Sequence, residues 1–269
     1  MENLHVSIIG CGWLGLQLGK YLKKAGTIVK GSYRSDQGKM RLENNGIDGF
    51  LFDTSLKAQI SIDMIESTEV LVVSLPPGRG QEMSQYAKDL AHIVQQFTAS
   101  VKVIFTSSIG VYPKRKGTFD ESFDLSHETE SALLLAEQKL GEILGEQLTI
   151  LRLGGLIGPN RHPIKLLQGR TLSDDGSGPI NLVHSSDSIA AIQLIIDGSH
   201  FGKVYNLVYP NHPSKKNYYA GLLKKYHLAP FQFTDKPSVS RLIDGNKIVE
   251  DTGFSYQHDI QLFDDKLYW

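Results

Sequence analysis

The sequence predicts an α/β protein, a doubly wound parallel sheet with helices on both faces followed by a small C-terminal α+β lobe. Three observations predict it. Strand-like and helix-like segments alternate through the first 159 residues. The apolar runs, VLVV at 70–73 above all, are continuous rather than alternating, which suits strands covered on both faces. The first strand also passes into the first helix through a glycine turn, GCGWLG at 10–15.

In order, LHVSII (4–9) is a short apolar, β-branched strand, and LQLGKYLKKAG carries apolar residues at helical spacing up to a terminal Gly26. The pattern repeats with a strand at 27–33, a helix ending at Gly46 and a strand at 49–53. VLVVSLPP (70–77) is a buried strand stopped by two prolines; a helix over 83–97, a strand over 101–108 and a helix over 131–144 follow. LTILRLGGLIGP (148–159) is a strand running into a glycine-rich loop. Beyond it the signal is irregular: loops over 160–183, a helix over 187–197 with Asp187 as candidate N-cap, a strand over 203–209 and a helix over 217–228. The expected division is a dinucleotide-binding domain over 1–159 and a smaller substrate lobe over 160–269, with 180–209 returning to the core.

Composition narrows the partners. The chain has 269 residues, 41% apolar and 21% charged, with a net charge of -1, which argues against nucleic acid or an anionic membrane as main partner. The single cysteine, Cys11, cannot form an internal disulfide, and no Cys/His cluster has metal-ligand spacing. No basic n-region precedes the first strand, and no apolar stretch approaches the roughly 18 residues of a membrane span. The expectation is a cytoplasmic protein with a small-molecule substrate and no metal; a homodimer is compatible with this.

The glycine turn carries the chemistry. Strand, G-x-G-x-x-G and helix in succession form a dinucleotide-binding fingerprint: Gly10 permits the tight turn, Gly12 lets backbone approach a pyrophosphate, and Gly15 lets helix pack on strand. Cys11, Trp13 and Leu14 contribute backbone N–H groups at the helix start, and Cys11 reads as a small buried filler rather than a nucleophile. The second strand ends GSYRS, with no acid before Asp36 to bond a ribose 2′-hydroxyl. Tyr33, Arg34 and Ser35 instead suit a 2′-phosphate, so NADP is favoured over NAD. Asp53 is a candidate partner for the adenine amino group, or equally a turn-former. Ser74, Leu75 and Pro76 after the fourth strand, with Thr106 and Ser107 on the fifth, complete the expected cofactor wall.

Three further stretches are more specific: TSSIGVYP (106–113), LRLGGLIGPNR (151–161) and INLVHSSDSIAAI (180–192). With GCGWLG they resemble the extended short-chain dehydrogenase/reductase superfamily, the NAD-dependent epimerases and dehydratases, in the right order over most of residues 4–197. The resemblance implies a catalytic role for Ser108, a place beside the nicotinamide for Gly154, Gly155 and Leu156, and a mostly structural role for His184 and Asp187. It also implies a Tyr-x-x-x-Lys pair one helix later, where the lysine lowers the tyrosine pKa and the tyrosine exchanges a proton with substrate. That pair is missing. Aligning the family's following glutamate with Glu137 puts Thr129 and Leu133 at its two positions, and no tyrosine occurs from 113 to 204.

Three readings follow. In the first, the protein is an NADP-dependent oxidoreductase or epimerase whose proton donor is not the family tyrosine. Ser108 then bonds a substrate carbonyl, and Tyr112, Arg161 or His184 is a candidate for the proton or charge, each with a bland packing role as its alternative. In the second it binds NADP(H) without turnover. In the third it is a two-domain β-hydroxyacid-type dehydrogenase, against which the mixed content after residue 150 counts.

Overall fold

The computed structural model describes residues 4–52, 62–97, 100–128, 131–167 and 169–261. The chain runs β1 (His5–Ile9), α1 (Trp13–Lys24), β2 (Ile28–Tyr33), α2 (Asp36–Glu43), β3 (Asp48–Leu51), α3 (Ile62–Ser67), β4 (Val70–Val73), α4 (Met83–Val94), β5 (Lys102–Ser108), β6 (Gly117–Phe119), α5 (Ala132–Leu144), β7 (Leu148–Leu153) and β8 (Gly155–Ile157). It continues with α6 (Ile164–Leu167), β9 (Thr171–Leu172), β10 (Leu182–His184), α7 (Ser185–Asp197), β11 (Val204–Leu207), α8 (Lys215–Lys225), β12 (Gln232–Phe233), β13 (Arg241–Ile243) and α9 (Lys247–Thr252). It forms two compact units by interleaving: Met1–Val111, Thr129–Arg152 and Ala191–Val204 make one, and Tyr112–Glu128, Leu153–Ala190 and Tyr205–Trp269 the other.

The principal sheet has the order β11-β7-β5-β4-β1-β2-β3, and β1 pairs in parallel with β2 on one side and β4 on the other. The chain direction across the sheet therefore reverses beside β1, where open α/β sheets place ligands at their strands' carboxyl ends. The apolar runs behave as expected: Val6, Ile8 and Ile9 on β1 and all four residues of β4 are buried because helices cover both faces. On α1, Leu14, Leu18 and Leu22 share the buried face and Lys23 and Lys24 complement the helix dipole at its C-terminus. Ile9, Val73, Leu90, Phe105 and Leu140 belong to one core cluster under α4 and α5. Ser35 caps α2 by accepting from the Gly38 N–H at 3.3 Å, and Ser131 caps α5 by accepting from the Leu134 N–H at 3.1 Å.

Within the second unit the structure departs from several expectations. The strand that runs into the glycine-rich loop ends at Leu153, and at Gly154 a Cβ would lie 3.0 Å from the Asn181 carbonyl oxygen and 3.2 Å from that of Leu207, but the loop itself holds a further strand at Gly155–Ile157. β8 then joins β10 in a separate two-stranded sheet, with Gly155 opposite Leu182. Asp187 does not cap its helix, which begins at Ser185. Its buried carboxylate instead accepts from the backbone N–H groups of Gln257 and His258 and bonds the His258 Nδ1 at 2.8 Å, pinning the C-terminal segment. Helix α8 starts two residues earlier than its periodicity suggests because Ser214 caps it through the Asn217 N–H. β6 was not expected, since its partner is β13, more than 120 residues later. Among the described residues, no helix is long and apolar enough to cross a membrane, and no group of three or more His, Cys, Asp or Glu is placed to hold a metal ion.

Candidate functional site

The glycine turn connects β1 to α1, and its three glycines have different reasons to be glycine. Gly10 has φ of +100°, and a Cβ there would lie 2.4 Å from the Ser74 carbonyl oxygen; its N–H donates to Ser32 Oγ at 2.8 Å. Gly15 carries no Cβ because one would sit 2.3 Å from the Gly10 carbonyl oxygen. These two are demanded by the protein's own packing. Gly12 has nothing within 4 Å of its would-be Cβ, so the fold does not demand it. As N-cap of α1 it offers no side-chain cap, and the first-turn N–H groups of the helix face a position suited to an anion.

A cavity of about 500 Å³ opens there. It brings together residues 10–12, 33–35 and 74–76, all expected in a cofactor site from the sequence. Cys11 lines it as a filler: burial pushes its thiol up to about 12, and the Sγ lies 3.6 Å from the Ile8 carbonyl oxygen. Tyr86 of α4 donates to the Leu75 carbonyl oxygen at 2.6 Å, fixing the backbone after β4. Arg41, Arg79 and Gln81 line the same cavity and were missed. Arg41, on α2, lies seven residues after Arg34, and Arg79 sits in PPGRG, which begins three residues beyond β4, where only the folded turn brings it to the cavity. None of Arg34, Arg41 and Arg79 pairs with a carboxylate among the described residues. Asp53 lies outside the described residues.

At the carboxyl end of β5, Thr106 Oγ1 bonds Ser74 Oγ at 3.1 Å and Ser107 Oγ donates to the Glu137 carboxylate at 2.5 Å. Ser108 is half-buried and its Oγ accepts from the Gly110 N–H at 3.0 Å, so its own O–H is the donor it has to offer a substrate oxygen. Glu137 on α5 is buried and bidentate to Arg152, its Oε2 accepting from Nη2 at 2.7 Å and its Oε1 from Nε at 3.2 Å. The same helix places Leu133 against the core cluster, while Lys139 is exposed and pairs with Glu142 at 2.9 Å. Thr129 lies outside the described residues.

In the second unit, Tyr112 is 2% exposed, and Asp120 O and Asn206 Oδ1 both lie 2.9 Å from its hydroxyl. His184 is fully buried, its Nδ1 accepts from the Ser186 N–H at 3.2 Å, and its ring stacks on His258 with centroids 4.4 Å apart. Burial, reinforced by the charge of His258, lowers its pKa to about 4, so it is neutral at pH 7. Arg161 is exposed in a turn closed by paired backbone bonds with Gly158. The backbone N–H groups of Gly154 and Gly155 donate to Leu207 O and Asn181 O, at 2.9 and 2.8 Å, and Leu156 pairs with Val183.

The sheet order and the glycine turn give a fold shared with solved NAD-bound proteins of dehydratase and short-chain dehydrogenase/reductase type. The dTDP-glucose 4,6-dehydratase of Bacillus anthracis str. Ames, solved in complex with NAD, superposes with a TM-score of 0.78 at 13% identity over 96% of this chain and 93% of that one. A functionally unknown conserved protein from Silicibacter pomeroyi DSS superposes at 0.77 with 20% identity, over 96% and 95% of the two chains. By sequence the chain belongs to the family of Protein YeeZ of Escherichia coli (strain K12), with which it is 33% identical over 265 residues, 94% of this chain and 96% of that protein. No protein-family model matches the chain.

Proposed function

We propose that this protein binds NADP(H) in the glycine-turn cavity and acts as an oxidoreductase or epimerase of the epimerase/dehydratase type on a small molecule, without the family's tyrosine–lysine pair. Gly12 carries the reading. The neighbouring glycines are explained by contacts inside the protein, whereas the open space at Gly12 is explained by a ligand that approaches the backbone closely. The NAD held by the structurally similar dehydratase supports a dinucleotide. Arg34, flanked by Tyr33 and Ser35 and with no acid at the end of β2, supports the 2′-phosphorylated form.

When bound, the dinucleotide supplies a hydride donor or acceptor. The chain's own part is to hold it by first-turn N–H groups of α1 and to offer the Ser108 hydroxyl to a substrate oxygen. A second reading, binding without turnover, is favoured by α5, where Leu133 packs against the core cluster and Lys139 is spent on a surface ion pair.

The two are separated by titrating the purified protein with NADPH and NADH and then assaying a panel of carbonyl substrates. The expected result is tighter NADPH binding and hydride transfer on at least one carbonyl. Tight binding with no transfer on any substrate selects the second reading, and failure to bind either nucleotide sinks both. An Arg34→Ala variant that keeps wild-type NADPH affinity refutes the cofactor preference.

A further inference from the structure

We infer that the cavity grips a third phosphate from two walls, with Arg79 on the β4–α4 turn opposing Arg34 and Arg41 of the β2–α2 segment, so that the specificity of this site for a 2′-phosphorylated adenosine is set by Arg41 and Arg79 as well as Arg34. The inference rests on the dinucleotide reading above.

Arg79 is placed by a built turn. The Gln81 N–H donates to the Gly78 carbonyl oxygen at 3.2 Å, the Gly78 N–H donates to Gln81 Oε1 at 2.9 Å, and Gln81 Nε2 donates to Asp89 on α4 at 2.8 Å. Gly80 takes a φ of +73°, which completes the reversal. One glutamine side chain thus ties both ends of the turn to α4 and holds Arg79 at its tip. On the other wall, Arg41 projects from α2, whose cap, Ser35, also lines the cavity.

The charge on the lining fits such a group. Guanidiniums from two segments, Arg34 and Arg41 from β2–α2 and Arg79 from β4–α4, line one cavity, and Asp89, the single carboxylate among its described lining residues, is held by the side-chain amides of Gln81 and Gln85. Among the described lining residues the guanidiniums exceed the carboxylate by two charges, which matches the roughly −1.5 to −2 carried by a phosphate monoester at pH 7. A pyrophosphate at the glycine turn needs no arginine, because helix N–H groups serve it. Guanidiniums without carboxylate partners are suited to bidentate recognition of a further phosphate.

The test compares adenosine 2′,5′-bisphosphate with 5′-AMP, which differ by the 2′-phosphate alone, by calorimetric titration of the intact protein and of Arg79→Ala and Arg41→Ala. Wild type is expected to prefer the bisphosphate by at least about tenfold, and each variant to lose about tenfold on it, as for one charge-assisted phosphate contact. Affinity for 5′-AMP should stay within about twofold of wild type, since neither side chain serves the 5′-phosphate. A wild-type preference that persists unchanged in Arg79→Ala overturns the two-walled grip, whatever Arg41→Ala does. Equal wild-type affinity for the two ligands removes the 2′-phosphate from the site. Binding of neither one, nor of NADPH or NADH, brings down the dinucleotide reading itself, and the inference with it.

Discussion

Replacing Glu137 by leucine should be among the most destabilising single changes outside the apolar core. The carboxylate is buried at 5% exposure, its partner Arg152 at 7%, and the pair is joined by contacts of 2.7, 3.1 and 3.2 Å. Leucine leaves a guanidinium in the interior without its counter-charge, which costs about 3–5 kcal/mol. Ser107 also loses the acceptor it reaches at 2.5 Å, about a further 1 kcal/mol. For a chain of this length the melting temperature should fall by on the order of 10 °C. The double variant Glu137→Leu/Arg152→Met removes both desolvation penalties and keeps the volume, so it should recover to within about 2 kcal/mol of wild type. Urea unfolding followed by circular dichroism and fluorescence, with coincident transitions and equal m-values, gives the cycle. A double variant that loses as much as the two single changes together would show that the two groups do not act as a pair, and the reasoning from burial and geometry would fail. A Glu137→Leu midpoint matching wild type would fail it equally.

The glycine turn separates folding from binding: Gly10→Ala, forced to a φ of +100° and into the Ser74 carbonyl, should cost at least about 2 kcal/mol, while Gly12→Ala should melt like wild type yet bind NADPH far more weakly. Equal melting of the two variants would contradict this. His184 carries a pH dependence: its folded pKa of about 4 lies below the unfolded value near 6.5. Its stabilising contribution is complete above pH 6.5 and is lost as pH falls through 4, about 3 kcal/mol in all, so the slope of stability against pH in that window should flatten in His184→Gln. Tyr112→Phe should cost about 1–3 kcal/mol by orphaning its acceptors, with nucleotide affinity unchanged; a large loss of turnover at unchanged stability would instead make it the proton donor. Cys11, its thiol held near 12 by burial, should resist alkylation at pH 8 until the protein is unfolded in urea.

Much of the first unit was legible because its signals are local. Continuous apolar runs name β1 and β4 and the glycine turn joins β1 to α1, whereas the caps at Ser35 and Ser131 and the end of β4 at Val73, ahead of the two prolines, show only in the structure. The cavity was half legible. Residues 10–12, 33–35 and 74–76 were named by motif and position, whereas Arg79 needed the Gly78–Gln81 turn, whose purpose shows only once Gln81 is seen bonded to Asp89. Ser107 is a similar case: its hydroxyl is spent on Glu137, a contact across 30 residues that no spacing rule announces.

The alternation of strands and helices, the glycine turn, the missing acid at the end of β2 and the loss of the tyrosine–lysine pair are properties of neighbouring residues, and the chain carries them wherever it folds. Tertiary structure alone decided the rest. It made a strand of the glycine-rich loop at Gly155–Ile157, turned Asp187 from a helix cap into an anchor for the C-terminal segment, paired β6 with β13, interleaved the two units and set three arginines around one cavity. Each of these joins groups far apart along the chain, and such contacts depend on which surfaces remain to be buried after the local elements have formed.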